Sequence, residues 1–204
     1  VPSRLAGDSE FERLRLLLGM QRRVLELVAT GAPAQRVFDT LCTEVEALVP
    51  GAVCTLMILE GTTLRVASAP SAPEGIREAA DGIQVGEGSC GAAVATGRPV
   101  IVSDTSTDER WRPFRDVAAA LDIGACWSIP IVSRAAPGGI RGTFALYLAE
   151  RQEPDGVQTQ ILESASSMAA IAIERQESER SLARAETTYR TVFESVNDAI
   201  FIHD

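Results

Sequence analysis

"VGEGSCGAAVATGRPVIVSD", residues 85–104, places Gly86, Gly88 and Gly91 in the spacing G-x-G-x-x-G ahead of a short helical stretch. That spacing belongs to the phosphate-cradling turn of dinucleotide-binding folds, where the helix after the third glycine crosses back over a full strand within a βαβ unit of roughly 30 residues. Here Gly97 and Pro99 interrupt the chain soon after Gly91. A helix of about six residues rises only ~9 Å, too little for the crossover. The strand that should lead in is also weak, because "DGIQV" (81–85) is brief and bounded by glycines. The glycines therefore predict a tight loop with close backbone packing, not a nucleotide site.

Downstream, "RPVIVSD" (98–104) predicts a strand, and "TDERWRPFRDVAAALDIG" (107–124) a loop leading into a helix. Pro113 suits the first turn of that helix, with Trp111, Phe114, Val117 and Leu121 facing inward. "ACWSIPIV" (125–132) and "IRGTFALYLAE" (140–150) predict two more strands, joined through "SRAAPGG", a hairpin connection by composition. Along the first of these, Ala125, Trp127 and Ile129 point one way and Cys126, Ser128 and Pro130 the other. Either set can face a pocket. Upstream, "AVCTLMIL" (52–59) and "TLRVASA" (63–69) flank the turn Glu60-Gly61-Thr62 and predict a hairpin. Its first strand is apolar on both alternating faces, so it must be covered on each side. "PEGIREAAD" (73–81) suggests a short helix. Five strands and several helices in mixed order predict an α+β domain.

Longer helices bracket this region. Residues 10–30 space Leu14, Leu17, Gln21, Val24 and Val28 by three and four, a narrow seam suited to pairing with another helix. After Gly31 and Pro33, a second helix carries Val37, Leu41, Val45 and Leu48 on one face and ends at "VPG" (49–51). From 155 to about 190 the only helix breaker is Gly156. Ile161, Ala165, Met168 and Ala172 form an apolar seam, Arg175 and Glu179 interrupt it, and it resumes unevenly at Leu182. Residues 157–173 also suit an amphipathic helix on its own domain, whereas "ERQESERSLARAE" has too few apolar groups to bury. A continuous helix that leaves the domain and pairs loosely with its copy is expected. The chain starts at Val1 and stops at "AIFIHD", an apolar run that reads as an unfinished strand, so it is expected to be part of something longer.

With 46% hydrophobic residues the chain can fill a core, and its net charge is -9, with all 19 basic residues Arg. An acidic surface repels phosphate backbones and anionic lipids, so neither nucleic acid nor a membrane surface is expected as a partner. The missing Lys removes Schiff-base chemistry and the Walker lysine. No run approaches the roughly 18 to 20 apolar residues of a membrane span, and no signal peptide opens the chain, so a cytoplasmic location is expected. Cys42, Cys54, Cys90 and Cys126 lack metal-ligand spacing and are expected as free thiols.

"GEGSCGAAVATGRPVIVSDTSTDERWRPFRDVAAALDIGACWSIPIV" followed by "GTFALYL" resembles the GAF domains of bacterial signalling proteins, over about residues 32–175. "YRTVFESVNDAIFIHD" (189–204) resembles the opening of a PAS domain. The resemblance implies an α+β fold with a central antiparallel sheet of five or six strands, helices on both faces and long N- and C-terminal signalling helices. It divides the chain into an N-terminal helix (1–31), a GAF domain (32–173), a helical linker (174–188) and the truncated start of a PAS domain (189–204). It further implies a non-catalytic regulatory module of a histidine kinase or a cyclic-di-GMP synthase or phosphodiesterase. Such a module binds a small molecule or senses redox state, and signals as a homodimer through its N- and C-terminal helices. A ligand-free dimerisation spacer is the alternative.

In this family the pocket lies between the sheet and the segment corresponding to residues 81–121. Cys90, Asp104, Trp111, Phe114, Arg115, Cys126, Trp127 and Ser128 are the candidate ligand-binding residues. Arg112 and Asp108 are further polar groups near its opening, and Cys90 and Cys126 are candidate redox-sensing thiols. The competing structural roles are core packing for the aromatic residues and cysteines, surface ion pairs for the charges, and a capping box for Ser106 and Glu109. No cofactor is expected. The only histidine, His203, lies outside the domain, which argues against histidine-ligated haem and the Cys-His bilin site. The Asn-Lys-x-Phe-Asp-Glu signature of cyclic-nucleotide-binding members is absent. Free methionine sulfoxide reductases share the fold, and "GSCG" (88–91) resembles one of their cysteine positions. Their Ile-Ala-Cys-Asp segment is not matched, so catalysis is not expected.

Overall fold

Strand β1 (Ala52–Glu60) turns through Gly61 into β2 (Thr63–Ser68), and a computed structural model describes residues 2–133 and 139–200 around this hairpin. With β3 (Val100–Val102), β4 (Ala125–Val132) and β5 (Ile140–Leu148) it forms one five-stranded sheet of order β2-β1-β5-β4-β3, every neighbouring pair antiparallel. This is the expected α+β architecture. Antiparallel pairing throughout rules out the parallel, doubly wound sheet of the dinucleotide reading.

The helices are α1 (Pro2–Ala29), α2 (Ala34–Leu48), α3 (Glu74–Ala80), α4 (Gly88–Thr96), α5 (Arg115–Ala120) and α6 (Gly156–Ile200), with a 3-10 segment at Glu109–Phe114. They divide between the two faces of the sheet. Helices α1, α2 and α6 share one core with Cys54, Leu56, Trp127, Ile129, Phe144 and Leu146. Helices α3 and α4, the 3-10 segment and α5 share the other with Met57, Cys126, Ala145 and Tyr147. The two-sided apolar strand β1 is thus covered on both faces. Each large aliphatic side chain so buried contributes about 1.5–3 kcal/mol.

Helix α6 begins on Asp155, whose carboxylate accepts from Gln158 N at 2.7 Å while Gln158 Oε1 accepts from Asp155 N at 2.8 Å, a reciprocal capping box. Arg13 of α1 pairs with the same carboxylate at 2.8 Å, and this pairing, with the capping bonds, holds it below the usual carboxylate range. Ile161, Ala165, Met168 and Ala172 are all buried in the domain's own core. The charged interruption has a local cause. Arg175 donates to the Val28 carbonyl at the end of α1, where helical carbonyls lack intrahelical partners, and also to Glu179 Oε1 at 2.7 Å. Beyond it, residues 177–190 are exposed and the helix does not fold back.

The α1 seam pairs with other helices as expected, here α2 and α6 of the same chain. Leu17, Met20 and Val24 are buried in the α1/α2/α6 core, and Gln21 donates to Ser164 Oγ of α6 at 2.6 Å. Several local expectations change. "DGIQV" forms only a single bridge, Thr63 to Gln84. Pro113 lies in the 3-10 segment, before α5 starts, and Val117 is 39% exposed while Ala118 is buried. The change from three residues per turn to 3.6 shifts the inward phase by one position. The Ser106–Glu109 capping box does not form: Ser106 Oγ donates to Asp104, and Asp108 caps the 3-10 segment through Arg110 N at 2.9 Å. Of the tail read as an unfinished strand, Ala199 and Ile200 are helical, and 201–204 lie outside the described residues. So does most of the β4–β5 connection, 134–138.

Candidate functional site

The glycine loop builds one wall of the site. Helix α4 starts at Gly88, not after Gly91, so the third glycine sits in its first turn. Gly88 has φ +57, which favours glycine. A Cβ on Gly91 would lie 2.1 Å from the Gln84 carbonyl oxygen. That carbonyl belongs to a loop that folds over the helix and is tied there by Gly86 N donating to Gly91 O at 2.9 Å. The glycines permit this close approach and fix where α4 lies against β4.

Docked this way, α4, α3 and the 3-10 segment enclose an apolar cavity. Its lining includes Ile76, Ala80, Ile83, Cys90, Trp111, Phe114, Ile123 and Tyr147, with no charged side chain. Trp111 and Phe114 meet edge to face, ring centroids 6.2 Å apart. The free space they border is about 30 Å³. The Trp111 indole Nε1 is buried without a hydrogen-bond partner.

Thiols and hydroxyls cluster where the cavity meets the sheet. Cys90, in the first turn of α4, lies 3.2 Å from Ser128 Oγ and 3.8 Å from the Tyr147 hydroxyl. Cys126 on β4 accepts from Ser89 Oγ at 3.1 Å and lies 3.7 Å from Ser128 Oγ. All five residues are buried. A hydrogen bond from Cys126 pulls the Cys90 thiol down to about 6 against the opposing effect of burial, with Ser128, Tyr147 and Thr143 also bonding to it. Burial pushes Cys126 well above the ordinary thiol range. The two thiols therefore act as a pair that gives up its first proton readily and its second with difficulty.

Of the candidate residues, Cys90, Trp111 and Phe114 line the cavity, and Cys126 and Ser128 lie in the polar cluster at its base. The alternation along β4 thus resolves in favour of the Cys126/Ser128 face. Trp127 lies on the opposite face, buried in the α1/α2/α6 core, with its Nε1 donating to the Gln152 carbonyl at 3.0 Å. Asp104 and Arg115 do not reach the cavity lining. Asp104 accepts from Ser106 Oγ at 2.6 Å and pairs with Arg151 at 3.3 Å; the Ser106 bond leads in holding its carboxyl low. Arg115 donates to the carbonyls of Thr107 and Asp108. Tyr147, Ile76 and Ile123 were not among the candidates. Tyr147 was accessible to the strand alternation, because it faces the same side as Cys126, its cross-strand partner. Among the described residues no three His, Cys, Asp or Glu side chains converge on a metal site, and no helix is long and apolar enough to cross a membrane.

Comparison with known proteins places this geometry. The family model described as "GAF domain" matches residues 31–174. The methyl sulfide methyltransferase-associated sensor of Methanosarcina acetivorans is 33% identical over 192 residues, which is 92% of this chain and 19% of that protein. The chain therefore spans about a fifth of that relative's length. Among solved structures, the GAF domain of an Acinetobacter phosphoenolpyruvate-protein phosphotransferase superposes with a TM-score of 0.63 at 13% identity, over 80% of this chain and 97% of that one. The free methionine-R-sulfoxide reductase of Neisseria meningitidis, solved with its substrate, gives 0.66 at 14% identity, over 84% and 93%. At such identities these two likenesses concern the fold alone.

Proposed function

Because the chain belongs to the GAF domain family, we propose that it is the sensor module of a signal-transduction protein, in which a small uncharged molecule enters the cavity between α3, α4 and the 3-10 segment. The carrying observation is the cavity itself, apolar on its walls and polar only at its base, where Cys90, Ser128 and Tyr147 supply weak donors and acceptors. Charge is absent from the lining, and an ionised ligand left without a partner there would pay a prohibitive desolvation penalty. The free space holds little more than a water molecule, so a ligand must displace Trp111 or Phe114. That displacement is the event to be transmitted.

Strand β4 carries it across the sheet. Cys126 and Ser128 face the cavity core, Trp127 and Ile129 face the helical core, and the Pro130 carbonyl accepts from Ser166 Oγ of α6 at 2.7 Å. Farther along, Ser133 bonds Glu174, and Arg141 of β5 pairs with Glu177 at 3.0 Å. A shift of β4 therefore acts on the part of α6 that leaves the domain. The exposed Phe11, Leu18 and Leu25 of α1, and Leu182 and Tyr189 of α6, recur at intervals of seven, a pattern that pairs each helix with its copy in a homodimer. A PAS domain and a kinase or cyclic-di-GMP output following α6 complete this reading.

The module is non-catalytic in this proposal. Free methionine sulfoxide is a zwitterion, and the uncharged lining offers neither of its charges a partner. Native mass spectrometry of the chain purified from its own host is expected to find one small neutral molecule per chain. Ala79 also lines the cavity, and Ala79→Leu, which adds bulk to that wall, is expected to reduce the occupancy at least tenfold. A chain that carries nothing and releases nothing on denaturation would favour the ligand-free spacer.

A further inference from the structure

Cys90 and Cys126 differ from the other two cysteines in what surrounds them. Cys42 and Cys54 are buried in the α1/α2/α6 core, and burial pushes the Cys42 thiol up to about 12 and Cys54 well above its ordinary value. Cys90 and Cys126 lie in the opposite core, and both Sγ atoms reach the single Ser128 hydroxyl, at 3.2 and 3.7 Å. Cys90 also lines the cavity, whereas Cys126 does not. One thiol can therefore be reached from outside, and its neighbour is in place behind it.

The geometry points to Cys90 and Cys126 as a reversible oxidation site, at which a small neutral hydroperoxide admitted through the cavity converts the two thiols into a disulfide that ties α4 to β4. The oxidant class follows from the lining. A space of about 30 Å³ without charged walls takes a molecule the size of hydrogen peroxide with the aromatic pair in place and excludes bulky or ionised oxidants.

The Cys90 sulfur attacks one peroxide oxygen, so that an S–O bond forms and the O–O bond breaks. The departing alkoxide takes the Cys90 proton and leaves as alcohol, or as water when the oxidant is hydrogen peroxide. Cys126 Sγ then attacks the Cys90 sulfenic acid; the S–S bond forms, the S–O bond breaks, and the Cys126 proton leaves with the hydroxide as water. Two thiols and one hydroperoxide become one disulfide, one alcohol and one water. The thiols lose the two electrons that the peroxide gains. The first turn of α4 favours negative charge on Cys90, and the bonds from Cys126, Ser128 and Tyr147 assist, so Cys90 attacks and Cys126 resolves.

This inference goes beyond the ligand-sensing proposal and stands apart from it. The folded chain is treated with hydrogen peroxide, then alkylated under denaturing conditions and mapped by mass spectrometry. The expected result is one disulfide, Cys90–Cys126, with Cys42 and Cys54 alkylated in full and the change reversed by dithiothreitol. In Cys126→Ser the reaction is expected to stop at a Cys90 sulfenic acid trapped by dimedone. In Cys90→Ser, Cys126 is expected to be oxidised at least a hundredfold more slowly. Wild-type mapping alone decides the matter if either variant fails to fold. All four thiols unmodified in the folded chain, or a disulfide between Cys42 and Cys54, would overturn the assignment. Ligand occupancy of the wild-type chain kept reduced with dithiothreitol, read by native mass spectrometry, tests the sensing proposal separately, since the reduced chain holds no disulfide.

Discussion

Trp111→Ala is expected to lower the stability of the chain by about 3–5 kcal/mol, the range for truncating a buried tryptophan, measured by urea denaturation. The ring is 7% exposed, packs edge to face on Phe114 and lines the cavity between α3, α4 and the sheet. Its indole N–H is buried without a partner, so this group adds no hydrogen bond to the ring's contribution. Trp111→Phe keeps most of the apolar volume and discards the unpaired donor, and is expected to cost less than about 1.5 kcal/mol. The alanine variant leaves an apolar cavity, and millimolar indole is expected to restore part of the lost stability by binding only the folded state. A loss below about 1 kcal/mol, or no response to indole, would mean that the ring does not hold this face together.

Gly91→Ala is expected to be comparably damaging for a different reason. On an exposed helix the substitution gains up to about 1 kcal/mol in intrinsic propensity. Here the new Cβ would stand 2.1 Å from the Gln84 carbonyl oxygen and 3.0 Å from Gly86 N, both backbone atoms of the overlying loop. The loop must lift, which breaks the Gly86–Gly91 hydrogen bond and loosens the first turn of α4, where Cys90 sits. The expected loss is about 3 kcal/mol or more, at the upper end of overpacking effects. Gly19→Ala is the control. Its Cβ would meet only the flexible end of Arg23 at 3.3 Å, so that variant is expected to be neutral or stabilising by up to about 1 kcal/mol. Equal behaviour of the two variants would refute the packing role given to Gly91.

The sheet and most helices were legible because their signals are local. Two apolar, β-branched-rich runs and the Gly61 turn between them mark the β1–β2 hairpin, and the unbroken run after Gly156 marks α6. The site was legible only in part, because it depends on how one element docks against another. The alternation in "ACWSIPIV" separates Trp127 from Cys126 and Ser128, but only the docking of α4 on β4 decides which set meets the cavity. Trp111 and Phe114 fall on one face by either helical period, whereas Val117 and Ala118 exchange places once the 3-10 turn precedes α5. Asp104 and Arg115 looked like pocket groups because they are polar and near the aromatic pair in sequence; locally they satisfy loop carbonyls, a hydroxyl and an arginine. Arg175 shows the same limit. As a heptad position it is a defect in a seam, and in the fold it donates to a terminal carbonyl of α1.

The two faces of the sheet suggest a division of labour, with reception on the α3/α4/α5 side and transmission on the α1/α2/α6 side, joined through β4. Peptide-resolved hydrogen exchange, comparing the chain loaded with its bound molecule and the same chain stripped of it, tests this most directly. The account predicts changed protection in α6 from Ser166 to Glu177, beyond the expected change around α4 and the 3-10 segment. Protection that changes only on the cavity side, with α6 identical in the two states, would contradict it.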